Sequence, residues 1–246
     1  MILKKLAIIL FIITIGFISC GTPSPKKQYD TDRILGYEVD PKNDQLHFYW
    51  KDAQGTIYGN AKNLKTKLQA KGQELIFMMN GGMYKKDQSP QGLYIENGIV
   101  KAPLDTTQKG YGNFYLQPNG VCYITEENRS IITTTKAFKG TKSIKYATQS
   151  GPMLVIDGKL HNKFTRGSKN LHIRNGVGVL PNGNLLFAMS KEKINFYDFA
   201  TFFKENSCQN ALYLDGFVSR TYLPTKNYPQ MDGNFGVLIG VINNNR

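Results

Sequence analysis

Four turn signatures lie between Glu96 and Asn184: Glu96-Asn97-Gly98, Pro118-Asn119-Gly120, Asp157-Gly158 and Pro181-Asn182-Gly183-Asn184. Each is flanked by short runs of β-prone residues. Asn-Gly and Asp-Gly pairs tolerate positive φ at successive positions, the geometry of tight β-hairpins. Antiparallel pairing is therefore expected to dominate the middle of the chain. Around it, Leu46-His47-Phe48-Tyr49-Trp50 and Leu75 to Met79 read as strands, and Leu64 and Leu68 share one face of a helix near Ala61 to Ala70. A second helix is expected from Phe196 to Glu205, with Phe199, Phe202 and Phe203 facing inward and Asn195 or Asp198 capping its start. The run Phe235 to Ile242 is apolar on both faces and predicts a central strand. Strands outnumber helices and the helices are not regularly interleaved. The pattern predicts an α+β fold, a single domain of mostly antiparallel or mixed sheet with a few helices.

The N-terminus reads differently. Lys4 and Lys5 precede an apolar stretch from Leu6 to Ile18, then Ser19-Cys20-Gly21. This is an export signal, with an apolar segment short for a bilayer span. Cleavage ahead of Cys20, with lipid on its thiol, is the expected processing, giving a signal peptide over 1–20. Residues 21–33 are polar and proline-bearing at their start and predict a flexible tether. Roughly 210 residues then remain from Ile34 to Arg246, enough for one domain with a substantial core. The expected location is the cell envelope, lipid-anchored, periplasmic or surface-exposed.

Losing Lys4 and Lys5 from 31 basic residues leaves 29 against 18 acidic ones, a mature balance of +11. Such a surface attracts anions. The lysines are scattered and an exported chain rarely meets nucleic acid, so the expected partners are anionic envelope material or a phosphorylated substrate. Cys122 and Cys208 fit no metal spacing; a disulfide and two buried free thiols both remain open.

Three polar clusters follow apolar strands: Asn80-Gly81-Gly82-Met83, Gln149-Ser150-Gly151-Pro152 and Asp215-Gly216-Phe217-Val218-Ser219-Arg220. Strand ends hold side chains rigidly while leaving them open to solvent, so three such ends are expected to converge on a site. There is no nucleophile elbow, P-loop, His-Glu-x-x-His or Cys-x-x-Cys, and Gly176-Val177-Gly178 lacks the third glycine of a dinucleotide fingerprint. His47, His161 and His172 are expected to be structural or solvated. No cofactor or metal site is expected; without a dense oxygen-ligand loop, calcium at Asp215 is the one metal left open.

In order, Asn80-Gly81-Gly82-Met83-Tyr84, Gln91-Gly92-Leu93, Ser150-Gly151-Pro152-Met153-Leu154, Arg174-Asn175-Gly176-Val177-Gly178 and Leu214-Asp215-Gly216-Phe217-Val218-Ser219 resemble the phosphodiester glycosidase family, the uncovering-enzyme type of catalytic domain, and most closely its compact bacterial branch. The likeness runs from about Glu74 to Ile242. Where the family pattern has a second glycine after the aspartate, this chain has Phe217, positioned to reshape the pocket or stack on a sugar.

Most glycoside hydrolases use two carboxyl groups. The matched motifs contain only Asp215. A phosphate leaving group is already stable as an anion, so a cation can replace the general acid, and Arg174 is suited to a two-pronged phosphate clamp. The resemblance thus implies Asp215 as nucleophile or base, Arg174 as clamp, and Ser219 and Ser150 as hydrogen-bond donors. Asn80, Gly81, Gly82 and Gly151 would form an anion-accepting nest, and Arg220 is a second clamp candidate. The function implied is an exported hydrolase of a glycosyl phosphodiester, of N-acetylglucosamine-1-phosphodiester type or in envelope glycan. The alternative is a non-catalytic lipoprotein that binds phosphorylated or acidic glycans.

Overall fold

A computed structural model describes residues 28–215 and 218–244. Cys20, the signal and most of the tether lie outside them, as do Gly216 and Phe217. In chain order the elements are β1 (Ile34–Val39), β2 (Gln45–Tyr49), α1 (Ala61–Gln69), β3 (Gln73–Asn80), β4 (Tyr94–Glu96), β5 (Ile99–Ala102), β6 (Gly120–Thr125), β7 (Ser130–Thr134) and β8 (Ile144–Ser150). They continue with β9 (Met153–Ile156), β10 (Lys159–Leu160), β11 (Asn175–Val179), β12 (Leu185–Ser190), α2 (Phe196–Glu205), β13 (Ala211–Tyr213), β14 (Thr221–Leu223), β15 (Tyr228–Pro229) and β16 (Leu238–Asn244). The strands form three antiparallel sheets, ordered β1-β12-β11-β13-β9-β10, β15-β14-β3-β16-β2 and β5-β4-β8-β6-β7. The α+β expectation is met.

Three of the four turn signatures close hairpins. Asn97-Gly98 joins β4 to β5 and Asp157-Gly158 joins β9 to β10, with positive φ at all four residues. Asn182-Gly183 lies between β11 and β12. Pro118-Asn119-Gly120 does not turn a hairpin: the buried Asn119 amide donates to the Phe114 carbonyl (3.1 Å), and Gly120 opens β6 with no strand before it. A hairpin not foreseen joins β6 to β7 through Asn128, at φ 58°.

The sheets share a central core of Phe77, Met79, Tyr94, Tyr146, Val177, Phe187, Leu212 and Ile239. Each helix covers an outer face. α1, capped by Asn60, sets Leu64 and Leu68 against Leu75, Met78 and Leu238. In α2 the Asn195 side chain takes the Asp198 N–H (2.8 Å), and Phe199, Phe202 and Phe203 bury against Leu154, Leu186 and Ala211. The last strand starts at Leu238 rather than Phe235, and just before it Gly236 passes too close to Tyr84 for even a Cβ. It lies between β3 and β2, as its two-faced apolarity predicted. Packing also begins ahead of Ile34: Tyr29, in the stretch read as tether, is buried, and Asp30 pairs with Lys226 at 2.9 Å.

Candidate active site

The expected convergence of strand ends occurs at the ends of β3, β8 and β13 and the start of β11. The Asn80 amide donates to the Asp215 carbonyl (3.0 Å), and the Ser150 hydroxyl donates to the Leu214 carbonyl (2.5 Å). Asn175 joins these ends. Its amide nitrogen donates to the Asn80 carbonyl (2.9 Å) and side-chain oxygen (3.1 Å), and its own oxygen accepts the Asp215 N–H (3.0 Å). It is fully buried, and the sequence reading passed over it although it sits inside the Arg174-Asn175-Gly176 motif.

This network corrects several expected roles. Asn80, 1% exposed, also accepts the Arg220 N–H (2.9 Å), so its amide is committed to bracing the loop instead of facing a ligand. The Gly81 amide donates to the Val237 carbonyl (2.9 Å) and cannot join an anion nest. Ser219, 2% exposed, turns its hydroxyl to the Asp215 carbonyl (3.3 Å) and braces the turn that carries the acid. The Gly82 and Gly151 positions require close approach. A Cβ at Gly82 would lie 2.4 Å from the Thr148 hydroxyl, and one at Gly151 would lie 2.6 Å from the Asn119 Cβ. Arg220 holds Asp232 with Nε and Nη2 at the surface, which raises its own pKa and lowers that of Asp232.

Asp215 is half-buried, and its charge contributes, after burial, to raising the pKa of the Tyr84 phenol. β11 pairs with β13 so that Gly176 stands opposite Tyr213. Beyond that pair the Leu214 N–H donates to the Asn175 carbonyl (3.1 Å) and the Asp215 N–H turns to the Asn175 side chain, so the backbone ladder ends one residue before the acid.

Arg174 is fully buried. Its Nε donates to the Ile194 carbonyl (2.8 Å), Nη2 to the Asn170 carbonyl (2.9 Å) and side-chain oxygen (2.7 Å), and Nη1 to the Tyr213 hydroxyl (3.2 Å). The guanidinium lies 3.6 Å from the Phe196 ring centre. Phe196 stacks on Phe164 (4.9 Å), and Phe164 on His161 (4.7 Å). This pile of planar groups fixes the 161–173 loop against the start of α2. With Nε and Nη2 taken, the two-pronged clamp is occupied by the protein itself, and Nη1 is left to the Tyr213 hydroxyl. Tyr213 was legible only as part of an apolar run. Burial lowers the Arg174 pKa, and among the described residues no carboxylate forms an ion pair with it. Taking an ion out of water costs several kcal/mol in real proteins, so a buried cation among neutral acceptors creates a strong local preference for an anion.

The histidines are structural, as expected, at His47 and His161. His161 Nδ1 accepts the Lys163 N–H (3.1 Å), so Nε2 carries the proton toward the Gln117 carbonyl (3.1 Å). Cys122 and Cys208 are free and buried, which pushes both thiols up to about 12. No cluster of three or more metal-ligating side chains occurs among the described residues.

Comparison with known proteins places the chain in a family. A family model described as phosphodiester glycosidase matches residues 73–242. The uncharacterized protein YigE of Escherichia coli is 37% identical over 202 residues, which cover 80% of this chain and 78% of that protein. The catalytic domain of zebrafish N-acetylglucosamine-1-phosphodiester alpha-N-acetylglucosaminidase, auto-inhibited by its pro-peptide, superposes with a TM-score of 0.57 at 12% identity, covering 85% of this chain and 81% of that one. A hypothetical protein from Synechocystis superposes with a TM-score of 0.52 at 14% identity, covering 85% and 59%. The ordered motifs, the three-sheet fold and the matched span together show that this chain belongs to the phosphodiester glycosidase family.

Proposed function

We propose that this protein is an exported, lipid-anchored hydrolase that cleaves the bond between a sugar and phosphate in a glycosyl phosphodiester. The observation that carries the reading is Arg174, a buried guanidinium with no carboxylate ion pair among the described residues, whose Nη1 donates to the hydroxyl of Tyr213, two residues before Asp215. Asp215 acts at the anomeric carbon, as nucleophile or as base toward water. The bond from that carbon to the phosphate oxygen breaks, and its electron pair leaves with the phosphate. Water supplies the new anomeric hydroxyl and the proton released to solvent. Arg174, through Tyr213, stabilises charge growing on the leaving phosphate in a dry environment. Ser150, Ser219 and Asn80 hold the backbone that carries the acid. A substrate of N-acetylglucosamine-1-phosphodiester type fits this chemistry, as does an envelope glycan joined through phosphodiesters.

The test is hydrolysis of p-nitrophenyl sugar phosphodiesters by the mature chain. Asp215→Asn is expected to lower kcat by about 10³-fold, within the usual range for loss of an acid–base group. Arg174→Lys and Tyr213→Phe each leave the Asp215 backbone bonds in place and are expected to lower kcat/KM. Full activity in both Asp215→Asn and Arg174→Lys would overturn the assignment. Saturable binding without product release by the wild type would favour a glycan-binding protein. Fatty-acid labelling of cells tests the anchor: label is expected on the wild type and none on Cys20→Ala.

A further inference from the structure

We propose that a groove beside the strand-end cluster binds an oligosaccharide chain extending from the scissile linkage, with Tyr111 as its stacking platform. The proposal rests on the glycosyl phosphodiester reading of the neighbouring site. Two cavities, of ≈ 340 and ≈ 320 Å³, share Leu104, Thr106 and Thr107 and so adjoin across that segment. The first is walled by Gln117, Asn119 and Thr135, the second by Lys85 and Asp105.

Both touch the site's own scaffold. Asn119 stands directly against Gly151, and Lys85 follows Tyr84, which senses the charge of Asp215. The Gln149 side chain, immediately before Ser150, holds Asp105 from both ends: it accepts the Asp105 N–H (2.9 Å) and donates to the Asp105 carbonyl (2.7 Å). The wall of the groove is thus tied to the residue that precedes Ser150.

Beside the apolar Leu104, Pro90 and Phe138, its walls carry hydroxyls and amides, groups that exchange hydrogen bonds with sugar hydroxyls in both directions. Sugar recognition also uses a flat apolar face, and Tyr111 presents one. It is 101% exposed, far beyond Ile99 at 57%, and it sits between Gly110 and Gly112. The base of its turn is tied to the groove. Gly110 lies against the Tyr115 ring, 2.4 Å from where its Cβ would be, and the Tyr115 hydroxyl donates to the Asp105 carboxylate (3.2 Å). A large ring held fully in water on an anchored turn is what a stacking contact requires.

Two measurements test this. In the first, kcat/KM is compared between a p-nitrophenyl monosaccharide phosphodiester and the same diester extended by an oligosaccharide. Tyr111→Ala is expected to lower the ratio of extended to short substrate by about 10-fold, the upper end for an aromatic contact. Tyr111→Trp is expected to restore it, and Ile99→Ala on β5 serves as the surface control. In the second, the Asp215→Asn protein is titrated by calorimetry with neutral chito-, cello-, malto- and manno-oligosaccharides. Binding that Tyr111→Ala abolishes supports the groove. An unchanged ratio in Tyr111→Ala, or no binding of any of the four series, overturns it. If no diester is hydrolysed yet Tyr111-dependent binding persists, the hydrolase reading fails and the groove stands.

Discussion

At the scale of single residues, Asn175 and His161 show how little of the site's polar content is spare. Asn175 exchanges hydrogen bonds with Asn80 and the Asp215 backbone in a fully buried setting. Truncating it strands buried partners, each worth about 1–3 kcal/mol when left unmade. Asn175→Ala is expected to lose about 3 kcal/mol or more of unfolding free energy in urea, a sum of such terms, and to lose activity through displacement of Asp215. His161 gives a pH dependence. Burial, the largest cause, lowers its pKa below the ordinary 6.5, and protonating Nδ1 would break the bond from Lys163. The unfolded chain then binds the proton more readily, so this contribution is fully present above about pH 6.5 and is lost as pH falls below it. His47, lowered chiefly by burial with Lys145 adding to it, acts with the same sign. Thermal melts are expected to fall between pH 7.5 and 5.5, and His161→Gln to flatten that fall.

At the scale of elements, α2 is set by glycine on the strand it covers. A Cβ at Gly178 would lie 2.6 Å from the Cys208 sulfur and 2.8 Å from the Phe203 ring, and one at Gly176 would meet the Leu212 carbonyl at 2.9 Å. These glycines let the phenylalanine face of α2 rest directly on β11 next to Arg174. Gly178→Ala is expected to cost about 1–3 kcal/mol as overpacking, read by urea denaturation, and to lower activity by moving Phe196 off the guanidinium. The helices, the long strands and three hairpins were legible because their period or turn chemistry is local. Pro118-Asn119-Gly120 misled because its turn residues serve a buried contact between Asn119 and Phe114 that adjacent sequence does not reveal.

At the scale of the molecule, the three sheets share an apolar core that buries Cys122, while Cys208 is buried in the separate apolar cluster beneath α2. With both thiols buried and pushed up to about 12, the native protein is expected to resist iodoacetamide at neutral pH and to take up label at both positions on unfolding. Labelling of either cysteine in the folded state would show that the core opens. The sequence alone determined the antiparallel character, both helices and the order of motifs that mark the family, since these reside in neighbouring residues. It also singled out Asp215 and Arg174 by chemical type. Only the tertiary structure decided which polar groups face a ligand and which brace the backbone. Hydrogen-bond partners such as Asn80 with Asp215, Ser150 with Leu214 and Arg174 with Tyr213 lie 135, 64 and 39 positions apart, and side-chain polarity carries no record of its partner.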